Sequence, residues 1–379
     1  LAPSPEPCGL SMPRPYTCLE RFVKVIMTLI MTSTLKFPRA TLEAPATDNP
    51  APANREELAR WYGLMHLARL LDDKAPNYLK QSLGWSYHAP CAGHDGIQIA
   101  LGVTFRPGHD YLFPYYRDLA TCLAAGLSAE EILLNGMSKR DDVASGGRHM
   151  SNHFAKPAIH VQNVSSAVAN HAQHAAGLAR AVKTYGADAV VYCSLGESST
   201  SEGYFYEAVN GASREKLPVI FVVQDNGYGI SVPKSDQTAN RFASDNFSGF
   251  RNLEILHCDG TDLFDSLRAL RAAVKFVASG AGCVIVHAEC VRIHSHSNSD
   301  RHELYRSTEE LAAAAARDPL PRLRSVLEAS GDFTAPELDA IEAANRRIYE
   351  EAAERARAAG LAVVMDDCTM RRHFQLARR

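Results

Sequence analysis

Residues 196–233 read GESSTSEGYFYEAVNGASREKLPVIFVVQDNGYGISVP, and their pattern decides the fold. A strand over 190–194 (VVYCS) runs into a turn that carries the carboxylate of Glu197. A helix rich in small and aromatic residues follows, predicted over about 202–214. A second strand over 217–223 (LPVIFVV) then delivers Asp225, Asn226 and Gly227. Glu197 and Asn226 lie 29 residues apart, the length of one strand–helix–strand unit. Such a unit brings the ends of two parallel strands to one sheet edge. A carboxylate and an amide oxygen then meet near a helix N-terminus, a place suited to a hard divalent cation and the phosphates it carries.

Alternation continues on both sides. Strands are predicted at 252–258 and 283–291, with a helix at about 262–279 between them. Upstream, 55–81 reads as a helix with a mixed face, and 94–105 as a second helix. Ser128 and Glu131 form a capping box that opens a short helix over 129–137. Residues 167–185 form a small-residue helix, and 141–160 a loop. Residues 308–328 and 336–359 are helical. The pattern implies an α/β fold with a mainly parallel sheet flanked by helices.

Composition sets the outer bounds. The chain has 379 residues, 46% hydrophobic and 22% charged, ordinary for a globular protein. A net charge of −3 leaves no electrostatic footprint for nucleic acid. The apolar run at 22–31 is too short to span a membrane, and no small-residue cleavage site follows it. Nine scattered cysteines without a CxxC pair point to a reduced, cytoplasmic setting rather than a disulfide framework. The Pro- and Thr-rich residues 1–50 are expected to be a disordered arm or an extension upstream of the true start, with Met27 and Met31 as candidate starts. Residues 51–360 are expected to form the main domain and 361–379 an irregular tail.

The stretch 196–233 resembles the thiamine diphosphate fingerprint, G-D-G followed after roughly thirty residues by N-N. Its flanks TSEG, EA-x-N-x-A and LPVIFV…NGYGISVP narrow the likeness to one family. They resemble the alpha subunit of the decarboxylating first component of 2-oxoacid dehydrogenase complexes. The likeness runs from about residue 61 to 359. Glu197 stands where the fingerprint has Asp, Ser198 where it has Gly, and Asp225 where it has the first Asn.

This resemblance implies a thiamine diphosphate-binding fold and a set of site residues. Glu197, Asn226 and the backbone carbonyl of Tyr228 would hold magnesium, with Gly196 and Ser198 beside them. From the residues alone, Glu197 could instead cap the following helix. Tyr116 and Arg117 in FPYYRD (113–118) match the family's phosphate-binding pair, although an arginine in a tyrosine-rich turn also suits a surface ion pair. The loop RIHSHSNSDRHELYR (292–306) matches G-H-S-x-S-D followed by Tyr-Arg, with Ser295 in the glycine's place. His296 would reach the diphosphate or the incoming acyl carrier. Ser297, Ser299, Asp300, Tyr305 and Arg306 complete the match. Read alone, the histidines of this loop have poor spacing for zinc and no cysteine among them.

Residues 84–96 (GWSYHAPCAGHDG) put His88 near the family's substrate histidine, and His94 and Asp95 replace its Gln-Glu pair. A histidine there could move a proton near neutral pH, or simply sit on a surface loop. Residues 164–177 place Ser166 and Val168 against the cofactor, or else make a closely packed helix start. Asn170 and His171 replace the Thr-Gln of relatives that hold potassium there, so no such ion is expected.

The activity implied is oxidative decarboxylation of a 2-oxo acid, branched-chain or pyruvate, with acyl transfer to the lipoyl group of a partner acyltransferase. The family places an essential glutamate on a beta subunit, so an α2β2 assembly, or a fused protein of which this is the first half, is implied. Two other readings remain: a transketolase-like enzyme without redox partners, and a degenerate subunit that only scaffolds assembly.

Overall fold

The computed structural model describes residues 54–362. The expected arm over 1–50 and the tail beyond residue 362 lie outside them. Helix α1 (Arg55–Lys80) opens on a capping box made by Asn54 and Glu57. Helix α2 (Asp95–Thr104) leads to a short strand β1 (Tyr111–Phe113) and then to α3 (Leu119–Ala125). The box read at Ser128 and Glu131 opens α4 (Ala129–Gly136), with both reciprocal hydrogen bonds present.

The diagnostic unit follows. Helix α5 (Asn170–Tyr185) precedes β2 (Val191–Gly196), α6 (Gly203–Glu215) and β3 (Val219–Asp225). A two-stranded hairpin comes next, β4 (Tyr228–Gly229) and β5 (Val232–Pro233). Then come β6 (Leu253–Asp259), α7 (Leu263–Ala278) and β7 (Cys283–Glu289). Helices α8 (Thr308–Ala315), α9 (Pro319–Ala329) and α10 (Ala335–Ala358) close the described chain.

The main sheet has the order β1-β2-β3-β7-β6, and every pairing in it is parallel. All its strands therefore end at one edge, where Gly196, Asp225, Asp259 and Glu289 lie. Successive side chains of a strand point to opposite faces. Ile220, Val222, Val284 and Val286 enter the core shared with α1, α2, α3, α4, α7, α9 and α10. Val219, Phe221, Val223 and Ile285 enter a second core against α5 and α6. Burial on both faces is why β3 reads as an unbroken apolar run from Val219 to Val223 before its polar end.

Several elements differ from the sequence reading, and three of the differences have a clear cause. Helix α5 begins three residues later than expected, because Ala169 takes a left-handed conformation at φ 63°. The helical stretch read over 308–328 is two helices. Pro319 has no N–H to continue the first, and the carboxylate of Asp318 accepts the Leu320 N–H at 3.1 Å to start the second. Strand β1 is absent from the sequence reading, since three residues carry no readable alternation.

Helices α2 and α3 touch closely. A Cβ on Gly102 of α2 would stand 2.5 Å from the Cβ of Ala124 and 2.6 Å from the carbonyl of Thr121. Gly102→Ala is expected to lower unfolding free energy by about 1–3 kcal/mol, measured by denaturant unfolding. An unchanged midpoint would contradict this close approach.

Candidate active site

Glu197 begins a short 3₁₀ turn at the end of β2 and is buried, 1% exposed. Its carboxylate caps no helix. One oxygen accepts the Asn226 backbone N–H at 3.2 Å, and the other lies 3.4 Å from the Ser198 hydroxyl. The strand–helix–strand unit thus brings Glu197 and Asn226 together. Burial, and then the nearby charge of Asp225, push the Glu197 carboxyl up to about 7. A cation there would remove that penalty.

Asn226 is oriented from behind. Its Nδ2 donates to Nε2 of His94 at 3.2 Å, which turns the amide oxygen toward the Tyr228 N–H, also at 3.2 Å. Gly227 between them has φ +83°, a conformation glycine adopts freely. The turn therefore gathers a carboxylate, an amide oxygen and the peptide of Tyr228.

Beneath this corner lies a polar knot. Gln224 is fully buried, and all four of its amide hydrogen bonds are made. Nε2 donates to Asp118 Oδ1 and to Ser194 Oγ, each at 2.7 Å. Oε1 accepts from Gln98 at 2.9 Å and from His94 Nδ1 at 3.0 Å. His94 is therefore the Nδ1–H tautomer with its Nε2 lone pair toward Asn226. Burial, then the charge of Arg117, push its pKa down to about 3, which keeps it neutral. Burial likewise raises Asp118 to about 6. Asp95 faces away and pairs with Arg69 at 2.7 Å, so the His94–Asp95 dipeptide divides between site and scaffold. Sequence reading missed Gln224 and Asp118. The signal was a glutamine at the end of a wholly apolar strand, where a buried amide must find partners.

A second loop faces the corner. Arg117 is buried, with Nη1 donating to the Pro90 carbonyl at 2.7 Å. Its Nη2 reaches the His296 carbonyl at 3.1 Å and His296 Nδ1 at 3.2 Å. It is no surface ion pair; it ties FPYYRD to the loop at 292–306. The rings of Tyr116 and His296 stand 6.0 Å apart, edge to face. Asp300 accepts the His296 N–H at 2.7 Å and the Tyr305 hydroxyl at 2.6 Å, and Arg292 donates to Tyr305 at 2.7 Å. Burial, then Arg117 and Arg292, push His296 down to about 3. Arg292 Nε and Nη1 are buried without a hydrogen-bond partner among the described residues. Unspent guanidinium donors beside Arg117 and a neutral histidine suit an anionic group. Arg306 is spent on the Arg292 carbonyl at 2.7 Å and Glu310 at 2.9 Å, while Ser297 and Ser299 bond each other at 3.1 Å.

The family pattern described as the dehydrogenase E1 component matches residues 62–364. This chain belongs to that family. It is 32% identical over 276 residues to the 2-oxoisovalerate dehydrogenase subunit alpha of Bacillus subtilis (strain 168), covering 73% of this chain and 83% of that one. It is 30% identical to the 3-methyl-2-oxobutanoate dehydrogenase subunit alpha of Mycobacterium tuberculosis, covering 73% and 72%. It is 28% identical to the human mitochondrial pyruvate dehydrogenase E1 component subunit alpha, somatic form, covering 80% and 76%.

The remaining expected residues of this E1 chain differ in their surroundings. His88 is buried, not on a surface loop, with Nε2 3.1 Å from the carboxylate of Asp72. Asn298 clasps its backbone, with Oδ1 accepting the His88 N–H at 3.1 Å and its own N–H donating to the His88 carbonyl at 2.9 Å. Among the described residues, no hydrogen bond joins His88 to Glu197 or Asn226. Ser166 is exposed and meets His153 Nε2 at 3.0 Å, and Val168 is exposed just before α5. His153 escaped the sequence reading. It lies in a glycine- and histidine-containing loop with no motif, yet its ring is 6.4 Å from Tyr87, which in turn is 5.8 Å from Tyr116.

A raised carboxyl pKa has a consequence for stability. Glu197 supports folding fully below its unfolded pKa of 4.5, and that contribution is lost as pH rises through about 7. In the cofactor-free protein, Glu197→Gln should change stability little at pH 5 and raise it by about 1–3 kcal/mol at pH 8, measured by thermal unfolding at both pH values. A variant equally destabilised at both would contradict the buried, uncompensated carboxylate.

Proposed function

We propose that this E1 chain is the alpha subunit of a thiamine diphosphate-dependent 2-oxoacid dehydrogenase. It acts with a beta subunit as α2β2 and passes the acyl group to a lipoyl-bearing acyltransferase. One observation carries this reading: Glu197 and Asn226 converge at the ends of adjacent parallel strands, with unspent donors of Arg292 buried in the neighbouring loop. The relatives' names favour a branched-chain 2-oxo acid, with pyruvate second.

The donor set fits the cofactor and its cation. Glu197, the Asn226 amide oxygen and the Tyr228 carbonyl are hard oxygen donors suited to magnesium. Tyr116, Arg117 and His296 would hold the diphosphate, and Gly196, Ser198, Ser166 and Val168 would complete its surroundings. When bound, thiamine diphosphate supplies the electron sink for loss of carbon dioxide from the 2-oxo acid. The chain's own task is to hold, orient and desolvate. His296 is neutral, and because its Nδ1 accepts from Arg117 the hydrogen sits on Nε2, which can donate a hydrogen bond to substrate or acyl carrier. His88, steadied by Asp72, is the second histidine proposed to act on the substrate.

The six described cysteines, among them Cys91, Cys193 and Cys290, are buried free thiols, which supports a reducing, cytoplasmic setting. No helix among the described residues is long and apolar enough to cross a membrane.

Calorimetric titration of thiamine diphosphate with magnesium into this chain and its beta partner tests the reading. Wild type should bind saturably and only with magnesium, and Glu197→Ala should lose roughly 100-fold or more in affinity. A wild-type pair that binds nothing would leave the scaffolding subunit as the better account.

A further inference from the structure

Asp225 stands beside the proposed cation ligand Asn226, yet both its oxygens are already committed. It is buried, 3% exposed. Oδ1 accepts the Gly227 N–H at 2.9 Å. Oδ2 accepts from the Lys234 ammonium at 2.5 Å and from His287 Nε2 at 2.9 Å. The backbone is tied as well. The Asp225 carbonyl accepts the Cys290 N–H at 2.7 Å, and the Gly227 carbonyl accepts the Lys234 N–H at 2.8 Å. Lys234 thus closes the base of the β4–β5 hairpin twice, once through its backbone and once through its side chain.

This arrangement does two things. It fixes the turn from Asp225 to Tyr228, and so the place of the Asn226 oxygen and the Tyr228 carbonyl. It also sets a cation against a carboxylate that would otherwise stand uncompensated next to Glu197. Burial alone would raise the Asp225 carboxyl, but the bonds from His287 and Lys234 outweigh it and hold it below the usual range. Phe242 covers the cluster, with the Lys234 ammonium 5.4 Å from its ring centre and the His287 ring 5.1 Å away.

We propose that Asp225 is a positioning residue rather than a cation ligand, and that Lys234 and His287 form with it an ion cluster at the base of the hairpin that presets the cation-binding turn. This inference rests on the function proposed above. The three partners are not equivalent. His287 Nδ1 is buried without a partner among the described residues, so the imidazole can shift its hydrogen and let Nε2 accept. An ammonium can only donate. Replacing the carboxylate by an amide therefore leaves Lys234, not His287, in conflict.

The test is a double-mutant cycle on the complex with the beta partner, reading magnesium-dependent thiamine diphosphate affinity by calorimetry. Asp225→Asn and Lys234→Met should each lose roughly 10- to 100-fold, the usual range for groups that orient metal ligands. The double variant should bind better than either single one, within about 3-fold of wild type, because the stranded ammonium is gone. Hydrogen exchange at the Gly227 amide, followed without cofactor, should show the same order: protected, faster in Asp225→Asn, protected again in the double variant. This second reading does not depend on the cofactor. Losses that multiply in the double variant, an Asp225→Asn protein that binds like wild type, or Gly227 exchange that no substitution alters would each overturn the inference alone. A wild-type complex that binds no cofactor would instead overturn the functional reading, and this inference with it.

Discussion

The amide of Gln224 is the joint on which the site depends. It is the next-to-last residue of the central strand β3, away from water, where each unmade hydrogen bond would cost about 1–3 kcal/mol. All four are made, to β2, to α2, to the loop before it and to the Asp118 carboxylate. Because Gln224 Oε1 accepts from His94, the His94 lone pair must face Asn226. Because His94 accepts from Asn226, the Asn226 oxygen must face the other way. A chain of donor and acceptor requirements thus runs from the sheet to the proposed cation corner, and a fully satisfied buried network of this kind allows few alternatives.

Electrostatics then distinguish the two halves of the site. Around Glu197, buried acids have too little positive charge near them, and Lys234 supplies part of it. Around Arg117, Arg292 and His296 the excess is positive, and the histidine stays neutral as a result. The two imbalances have opposite sign and face each other across the strand ends. A divalent cation bound to a diphosphate would satisfy both at once, which is why the pair fits better than either partner alone.

Much of this was legible in the sequence where the physics is local. The Ser128–Glu131 box, the apolar strand 217–223 and the spacing from Glu197 to Asn226 depend on neighbours along the chain. What was not legible depends on distant partners. His88 finds Asp72 on a different element, Arg117 is spent on a loop near residue 296, and Gln224 answers to four elements at once. The break at Asp318 was written in Pro319 but concealed by apolar periodicity on both sides. The family resemblance supplied the names of the site residues, and it could not foresee that Asp225 would be locked by Lys234 and His287.

The central claim is that Glu197, Asn226 and the Tyr228 carbonyl share one cation at the strand ends. Its most direct test is anomalous diffraction from the complex crystallised with thiamine diphosphate and manganese in place of magnesium. The account predicts one strong peak about 2.1 Å from all three oxygens, with diphosphate oxygens completing the octahedron. A peak elsewhere, or a bound diphosphate whose ion leaves Glu197 uncoordinated, would contradict it.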